Sequence, residues 1–297
     1  MTKRKSWPLS FNPDSNLLVH TSKPDKDFFA AAKASIEGCC TDIKTWMVES
    51  RLKLNADKTE FILIGSKAHV NLFPETKISI AGVNVPSSKC VTYLGVNIDE
   101  HLSMVPHVNK VISSTYWQLR RISSIRHCLT EKSATTLVLT MVMSNIDYCN
   151  SLLVGETQGH LRRLQQVQNT AARIVKRPPS RAHITPILQE LHWLPVHQRI
   201  VHKTLSHVFR CINGSAPLYL MKLLRTYKPV RHLRSSTKLQ LQVPRCNKRK
   251  SGERAFAYAG PKLWNDLPDE LRMAPSVQTF KSQLKTLLFR QMSHEAP

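Results

Sequence analysis

Between residues 160 and 254 the chain carries 20 Lys and Arg against only 2 Asp and Glu. Cations at that density neutralise phosphates, and arginine adds a planar fork that holds a phosphate through two hydrogen bonds at once. Arg162, Arg163, Arg173, Lys176 and Arg177 share one face of a helical stretch. Arg181, Arg199, Lys203, Arg231, Arg234, Arg245 and the run Lys248-Arg249-Lys250 follow. Any one of them is ordinarily solvated surface; the imbalance as a whole is what points to a polyanion. Two smaller features also have chemical reach. Lys58, in the polar turn Asn55–Thr59, is either a solvated turn lysine or a cation able to neutralise a developing charge. Gly95, between Leu94 and Val96, has no Cβ, so backbone amides there can approach a phosphate closely; the alternative is a glycine at a strand bend.

The elements that position these residues follow from periodicity. Phe28, Phe29, Ala32, Ile36, Cys39/Cys40, Ile43, Trp46 and Met47 recur at helical steps from Asp27 to about Arg51. Phe61–Ile64 is a continuous apolar run closed by Gly65, which predicts a buried strand. Ile78, Ile80, Val83 and Val85 alternate about Ala81-Gly82 and predict a hairpin, after which Val91 and Tyr93 lead into Leu94-Gly95-Val96. Beyond Asp99 the period becomes helical. His107–Ile125 and Thr130–Ile146 read as a helix pair, the second capped by Thr130. Leu161, Leu164, Val167, Ala171, Ile174 and Val175 form the apolar stripe opposite the arginines, and Pro178-Pro179 stops that helix. Helices are expected at Ile184–Leu191, Pro195–Ile212 and Ser276–Gln291, with one short strand at Leu239–Val243 in a basic, loop-rich stretch.

Composition bounds the rest. A chain of 297 residues, 41% hydrophobic, is long enough to bury a core, and its net charge of +23 implies a polyanionic partner, nucleic acid first and an acidic membrane surface second. The surplus is uneven: residues 1–110 carry a net +3 and residues 111–297 a net +20. Seven scattered cysteines with no C-x-x-C pair exclude a disulfide framework and place the chain in a reducing, intracellular compartment, nucleus or cytoplasm. The basic N-terminus has no apolar stretch behind it, so no signal peptide is expected, and no apolar run is long enough for a membrane span. His192, His197, His202 and His207 step by five residues, which scatters them round a helix, and the His207/Cys211 pair has no second pair beside it. No metal site is expected.

Several stretches, in order, resemble the reverse transcriptases of non-LTR (LINE-type) retrotransposons, the jockey-like group in particular. They are Leu52–Ile64; Tyr93–Asp99; Asp147-Tyr148-Cys149-Asn150-Ser151-Leu152-Leu153; Leu164–Arg173; Leu191-His192-Trp193-Leu194-Pro195-Val196 with Arg199-Ile200; Leu233–Ser236; and Phe256-Ala257 through Pro261-Lys262-Leu263-Trp264-Asn265-Asp266-Leu267-Pro268. The resemblance covers roughly residues 27–290. It implies a helix-rich α+β chain: an irregular segment (1–26), a palm remnant of small antiparallel sheet plus helix (27–100), a helical thumb-like region (101–178) and a basic C-terminal domain (179–297). It also implies RNA and DNA as partners, meaning retrotransposon RNA and target DNA, and no membrane. Lys58 matches a lysine near the incoming nucleotide, and Leu94, Gly95 and Val96 match the segment that supports the primer end.

In that family Mg²⁺ is held by aspartates from an earlier strand and from a Tyr/Phe-Ala-Asp-Asp hairpin. Here the corresponding stretch is Asn12-Pro13-Asp14-Ser15, where Asp14 matches one aspartate and Ser15 stands in place of the other. A hydroxyl cannot supply a carboxylate's charge. The expectation is therefore a truncated RNA-directed DNA polymerase, inactive alone and without a cofactor of its own, that keeps its nucleic-acid grip. A domesticated RNA- or DNA-binding protein, and a pseudogene product with no selected role, remain as alternatives.

Overall fold

A computed structural model describes residues 26–55, 58–74, 76–80, 82–227, 239–246 and 252–294. The chain is helix-rich with two small antiparallel sheets, an α+β architecture, and it divides into two compact units, residues 1–106 and 107–297. The helices on both sides of Pro178-Pro179 belong to the second unit.

The first unit begins with α1 (Lys26–Glu49), whose Asp27 sits in the first turn where the helix dipole favours an anion. Arg51, at a φ of 57°, closes the helix end, and the Leu52 amide returns to the Met47 carbonyl at 2.7 Å. A single turn, α2 (Lys67–Val70), is capped by Ser66, which accepts from the His69 amide. The hairpin of β1 (Lys77–Ile80) and β2 (Val83–Pro86) pairs Ile80 with Val83, as the alternation predicts. Cys40, Ile78, Ile80 and Val85 form the core, with Ile36, Leu54 and Phe61 packed against it. Glu37 of α1 accepts from the Ser79 amide at 2.7 Å and so occupies a donor on the open edge of β1. A second hairpin joins β3 (Cys90–Tyr93) to β4 (Val96–Asp99).

Phe61–Ile64 is not a buried strand. It makes one isolated bridge, Phe61 to Ser87, and Ile64 is exposed. Pro86, just before Ser87, has no amide with which to extend the ladder. The segment is instead a strap, tied where Phe61 accepts from Ser88 and where the Gly65 amide donates to Glu100.

The second unit is built from α3 (Val105–Ile125), whose first two residues lie at the unit boundary, and the helices that follow. The helix over Glu131–Asp147 comprises α4 (Glu131–Val138), a π-helical turn at Leu139–Met143 and α5 (Ser144–Asp147). Its cap is Thr130, which accepts from the Ser133 amide at 3.1 Å, as expected. Then come α6 (Gln158–Lys176), α7 (Ile184–Glu190), α8 (Val196–Ile212), α9 (Leu218–Met221), α10 (Phe256–Asn265), α11 (Asp269–Arg272) and α12 (Val277–His294). At the centre of the larger core Phe209 stacks on Phe280 at 4.4 Å, and Trp264 leans on both. Trp264 is completely buried, and its indole N–H donates to the Leu239 carbonyl. It sits within α10 and anchors the chain across the helix, whereas Trp193, also buried, anchors a turn.

Leu239–Val243 also forms no strand. The side-chain amide of Asn265 takes both backbone groups of Leu241, donating to its carbonyl at 2.8 Å and accepting from its amide at 2.9 Å. On the other side a lone bridge joins Leu241 to Thr226. One asparagine thus does the work of a neighbouring strand for a single residue.

Candidate nucleic-acid interface

The basic face is carried by α6. Thr157 accepts from the His160 amide to start the helix, and Leu161, Leu164, Val167, Ala171, Ala172 and Val175 bury one side of it. Arg162 and Arg163 lie on the exposed side. Two glutamines of the same helix are structural. Gln168, fully buried, donates to the Leu194 carbonyl at 2.9 Å, and Gln165 accepts from the Val196 amide. They hold the turn around Trp193 against α6, which accounts physically for much of the Leu164–Arg173 stretch.

The cations divide into two groups. Arg173 donates to the Ala182 carbonyl at 2.8 Å and thereby folds the chain after Pro178-Pro179 back onto the helix. Lys176, only 16% exposed at its side chain, bridges Glu131 of α4 and Glu190 of α7. Hydrogen bonds to Glu131 first and Glu190 second hold its ammonium above the usual lysine pKa. Arg199 forms a two-pronged pair with Asp147, and Asn150 also donates to that carboxylate. Asp147 and Asn150 thus join a polar network that Arg199 completes, while Tyr148 is exposed. Lys176 and Arg199 cross-link helices, and Arg173 ties a loop to its own helix. Arg162, Arg163, Arg177, Arg181 and Lys203 are different: each is exposed, and none has an ion pair among the described residues. Arg231, Arg234, Lys248, Arg249 and Lys250, and Asp14 with them, lie outside the described residues.

The sequence reading missed the cations that lie before residue 160. Arg126, in a 3-10 turn at Arg126–Cys128, donates to the carbonyls of Ile174 and Val175 at 2.8 Å each and to Leu129 at 2.7 Å. Its guanidinium caps the C-terminal end of α6, where cations are favoured. Arg126, His127, Arg173 and Arg177 line an open cleft of about 510 Å³, with Ser123 and Thr170 on its walls. On α3 the exposed Trp117 carries the Arg121 guanidinium 4.5 Å from its ring centre. Counting charge over 160–254 could not find these residues; the signal was Trp117, Arg120 and Arg121 at helical spacing, with Arg126 just beyond the helix.

In the first unit, Lys58 is exposed, its amide donating to the Asn55 carbonyl at 3.3 Å. Leu94 and Gly95 are the two central residues of the β3–β4 hairpin, at φ of 46° and 80°. Two consecutive positive φ values make the mirror-image turn that matches strand twist, and glycine is what the second position requires. Gly95 is therefore a hairpin turn residue and not a bend within a strand, and Val96 behind it is buried. After β4, Asp99 accepts from the amides of His101, Ser103 and Met104 at 3.3, 3.1 and 3.0 Å. Burial alone would raise this carboxyl; the Ser103 amide and hydroxyl, then the Met104 and His101 amides, outweigh it and hold the pKa below the ordinary value.

Among the described residues no three His, Cys, Asp or Glu gather in a way that could hold a metal. No helix among them is long and apolar enough to cross a membrane. Compared with models of known families, with curated proteins and with solved structures, the chain matches none.

Proposed function

We propose that the second unit is a sequence-tolerant RNA- or DNA-binding module, the nucleic-acid grip of a non-LTR, jockey-like reverse transcriptase, and that this chain does not synthesise DNA alone. The observation that carries the binding is the set of exposed cations without carboxylate partners among the described residues, Arg162, Arg163, Arg177, Arg181 and Lys203, on a unit with 30 Lys and Arg against 9 Asp and Glu. Exposed cations that release counterions from phosphates bind without reading sequence. The two hairpins and long helix of the first unit support the reading of a palm remnant, with Leu94-Gly95 at the tip that would support a primer end.

Fluorescence anisotropy with a labelled 20-nucleotide strand tests this. Five phosphate contacts to a single strand correspond to a loss of about 100-fold in affinity between 50 and 200 mM salt. Affinity indifferent to salt, or unchanged after Arg162, Arg163, Arg181 and Lys203 are all replaced by alanine, would sink the proposal. Arg173, Lys176 and Arg199 are left intact in that variant, because Arg173 ties down a loop and the other two hold helices together.

A further inference from the structure

We infer that the cleft between the ends of α3 and α6, together with Trp117 on α3, is a site for single-stranded nucleic acid, with the cleft holding phosphates and the indole stacking a base. This rests on the reading of the second unit as a nucleic-acid binder and gives it a location and a preference.

The cleft has the chemistry of an anion site. Its walls carry Arg126, His127, Arg173 and Arg177, the hydroxyl residues Ser123 and Thr170, and no carboxylate. Two of the arginines are fixed in place by backbone carbonyls: Arg126 by Ile174, Val175 and Leu129, and Arg173 by Ala182. A guanidinium has five N–H donors, so both keep donors for a ligand after these bonds are made. Their positions are set before anything binds, which lowers the ordering cost of binding. Arg177, exposed at the C-cap of α6, brings a guanidinium not tied down in this way.

A phosphate site alone would not discriminate strands from duplex. Trp117 supplies the difference. It is 54% exposed, an unusual state for the largest apolar side chain, with Arg121 stacked on it. It lies six residues before Ser123 on the same helix, about 9 Å along the axis, with exposed Arg120 between them. A backbone running from the cleft along α3 would bring an unpaired base to the indole. In a duplex the base faces are already stacked and unavailable.

The test uses the full chain and labelled 20-nucleotide RNA, DNA of the same sequence, and blunt duplex DNA of that length. Arg177→Glu should weaken single-strand binding about tenfold or more, while Lys222→Glu, the same charge change at an exposed site away from the cleft, should cost less than about twofold. Trp117→Ala should weaken single-strand binding at least about fivefold and leave the duplex within about twofold. Circular dichroism melts confirm that each variant is folded, and Trp117→Phe should restore most of the stacking. Equal losses for Arg177→Glu and Lys222→Glu, or equal effects of Trp117→Ala on strand and duplex, would overturn the site while leaving general binding intact. No salt-sensitive binding by the unaltered chain would overturn the broader proposal first.

Discussion

The two units of this chain keep their shape by opposite means. The first is nearly neutral, with 13 Lys and Arg against 11 Asp and Glu, and among the described residues its hydrophobic cluster is small, joining Cys40 of α1 to Ile78, Ile80 and Val85 of the first hairpin. Polar clips do much of the fastening: Asp99 on three amides, Glu37 on the Ser79 amide, and the His101 ring donating to the Gly65 carbonyl at 3.0 Å. The second unit carries nearly all of the surplus of positive charge, which repels itself and opposes compaction. It offsets that cost with long amphipathic helices and a stacked aromatic centre. Three of its scarce carboxylates cross-link helices, Glu131 and Glu190 on Lys176 and Asp147 on Arg199. Two others are also paired, Glu156 with His160 and Arg254, and Asp269 with Arg272.

The strongest way to break this contrast is to remove the aromatic centre. Trp264→Ala should cost about 3–5 kcal/mol, since the side chain is fully buried and its N–H bond to Leu239 is lost as well. Urea unfolding followed by far-ultraviolet circular dichroism measures it; a loss below about 1 kcal/mol would mean that the centre is not where the stability lies. The matching change in the first unit, Ile80→Ala, should cost about 2–3 kcal/mol. Its core is shallow, and partly exposed neighbours can close over the gap. Asp99→Ala should cost about 1–3 kcal/mol by stranding amides that the carboxylate satisfies. Segment-resolved hydrogen exchange locates that loss: faster exchange should appear over 77–104 and not in α6 or α8.

The units should also fail differently in acid. His107, His202 and His207 of the second unit have pKa values pushed below the usual 6.5. Burial is the main cause for each, with nearby cations adding to it: Lys110 for His107; Lys281, Lys285 and Arg199 for His202; Lys203, Arg210 and Lys281 for His207. A histidine depressed in the folded state binds its proton more readily when unfolded. Its contribution is complete above pH 6.5 and is lost as pH falls through the folded value. Asp99 is also depressed, but from 3.8, so its contribution survives until pH falls below that value. Melting followed between pH 7 and 4 should therefore show the second unit weakening first. A first unit that loses exchange protection at pH 6 would reverse the assignment.

Much of this architecture was legible in residue order, and the failures share a cause. Helical stripes such as Leu161–Val175 need only periodicity, and the β1–β2 hairpin needs only alternation and a turn. Phe61–Ile64 and Leu239–Val243 have strand composition, yet a strand exists only where a partner offers a ladder, and Pro86 and Asn265 remove that possibility in different ways. α10 is obscured in the residue order by Pro261, which ordinarily argues against a helix interior; five residues after Phe256, its ring is accommodated within a buried turn. At the interface, charge was legible and its use was not. Nothing in the order of residues distinguishes Arg162, exposed, from Arg173, which holds a loop, because the distinction depends on where the Ala182 carbonyl arrives.

The smallest expected effect bears on the sharpest question about the first unit. Leu94 is 53% exposed and sits at a φ of 46°, where a leucine's Cβ crowds its own backbone. Asparagine suits that turn position better, so Leu94→Asn should stabilise the β3–β4 hairpin by about 0.5–1 kcal/mol, read by hydrogen exchange over 90–99. A residue that costs stability and buries little is a candidate for function, since strain of this kind collects at working sites. If the stabilised variant also binds a recessed primer–template duplex more weakly at unchanged affinity for a blunt one, the leucine is held at the hairpin tip for the primer end. If both affinities stay the same, Leu94 is a tolerated turn residue, and nucleic-acid contact belongs to the second unit alone.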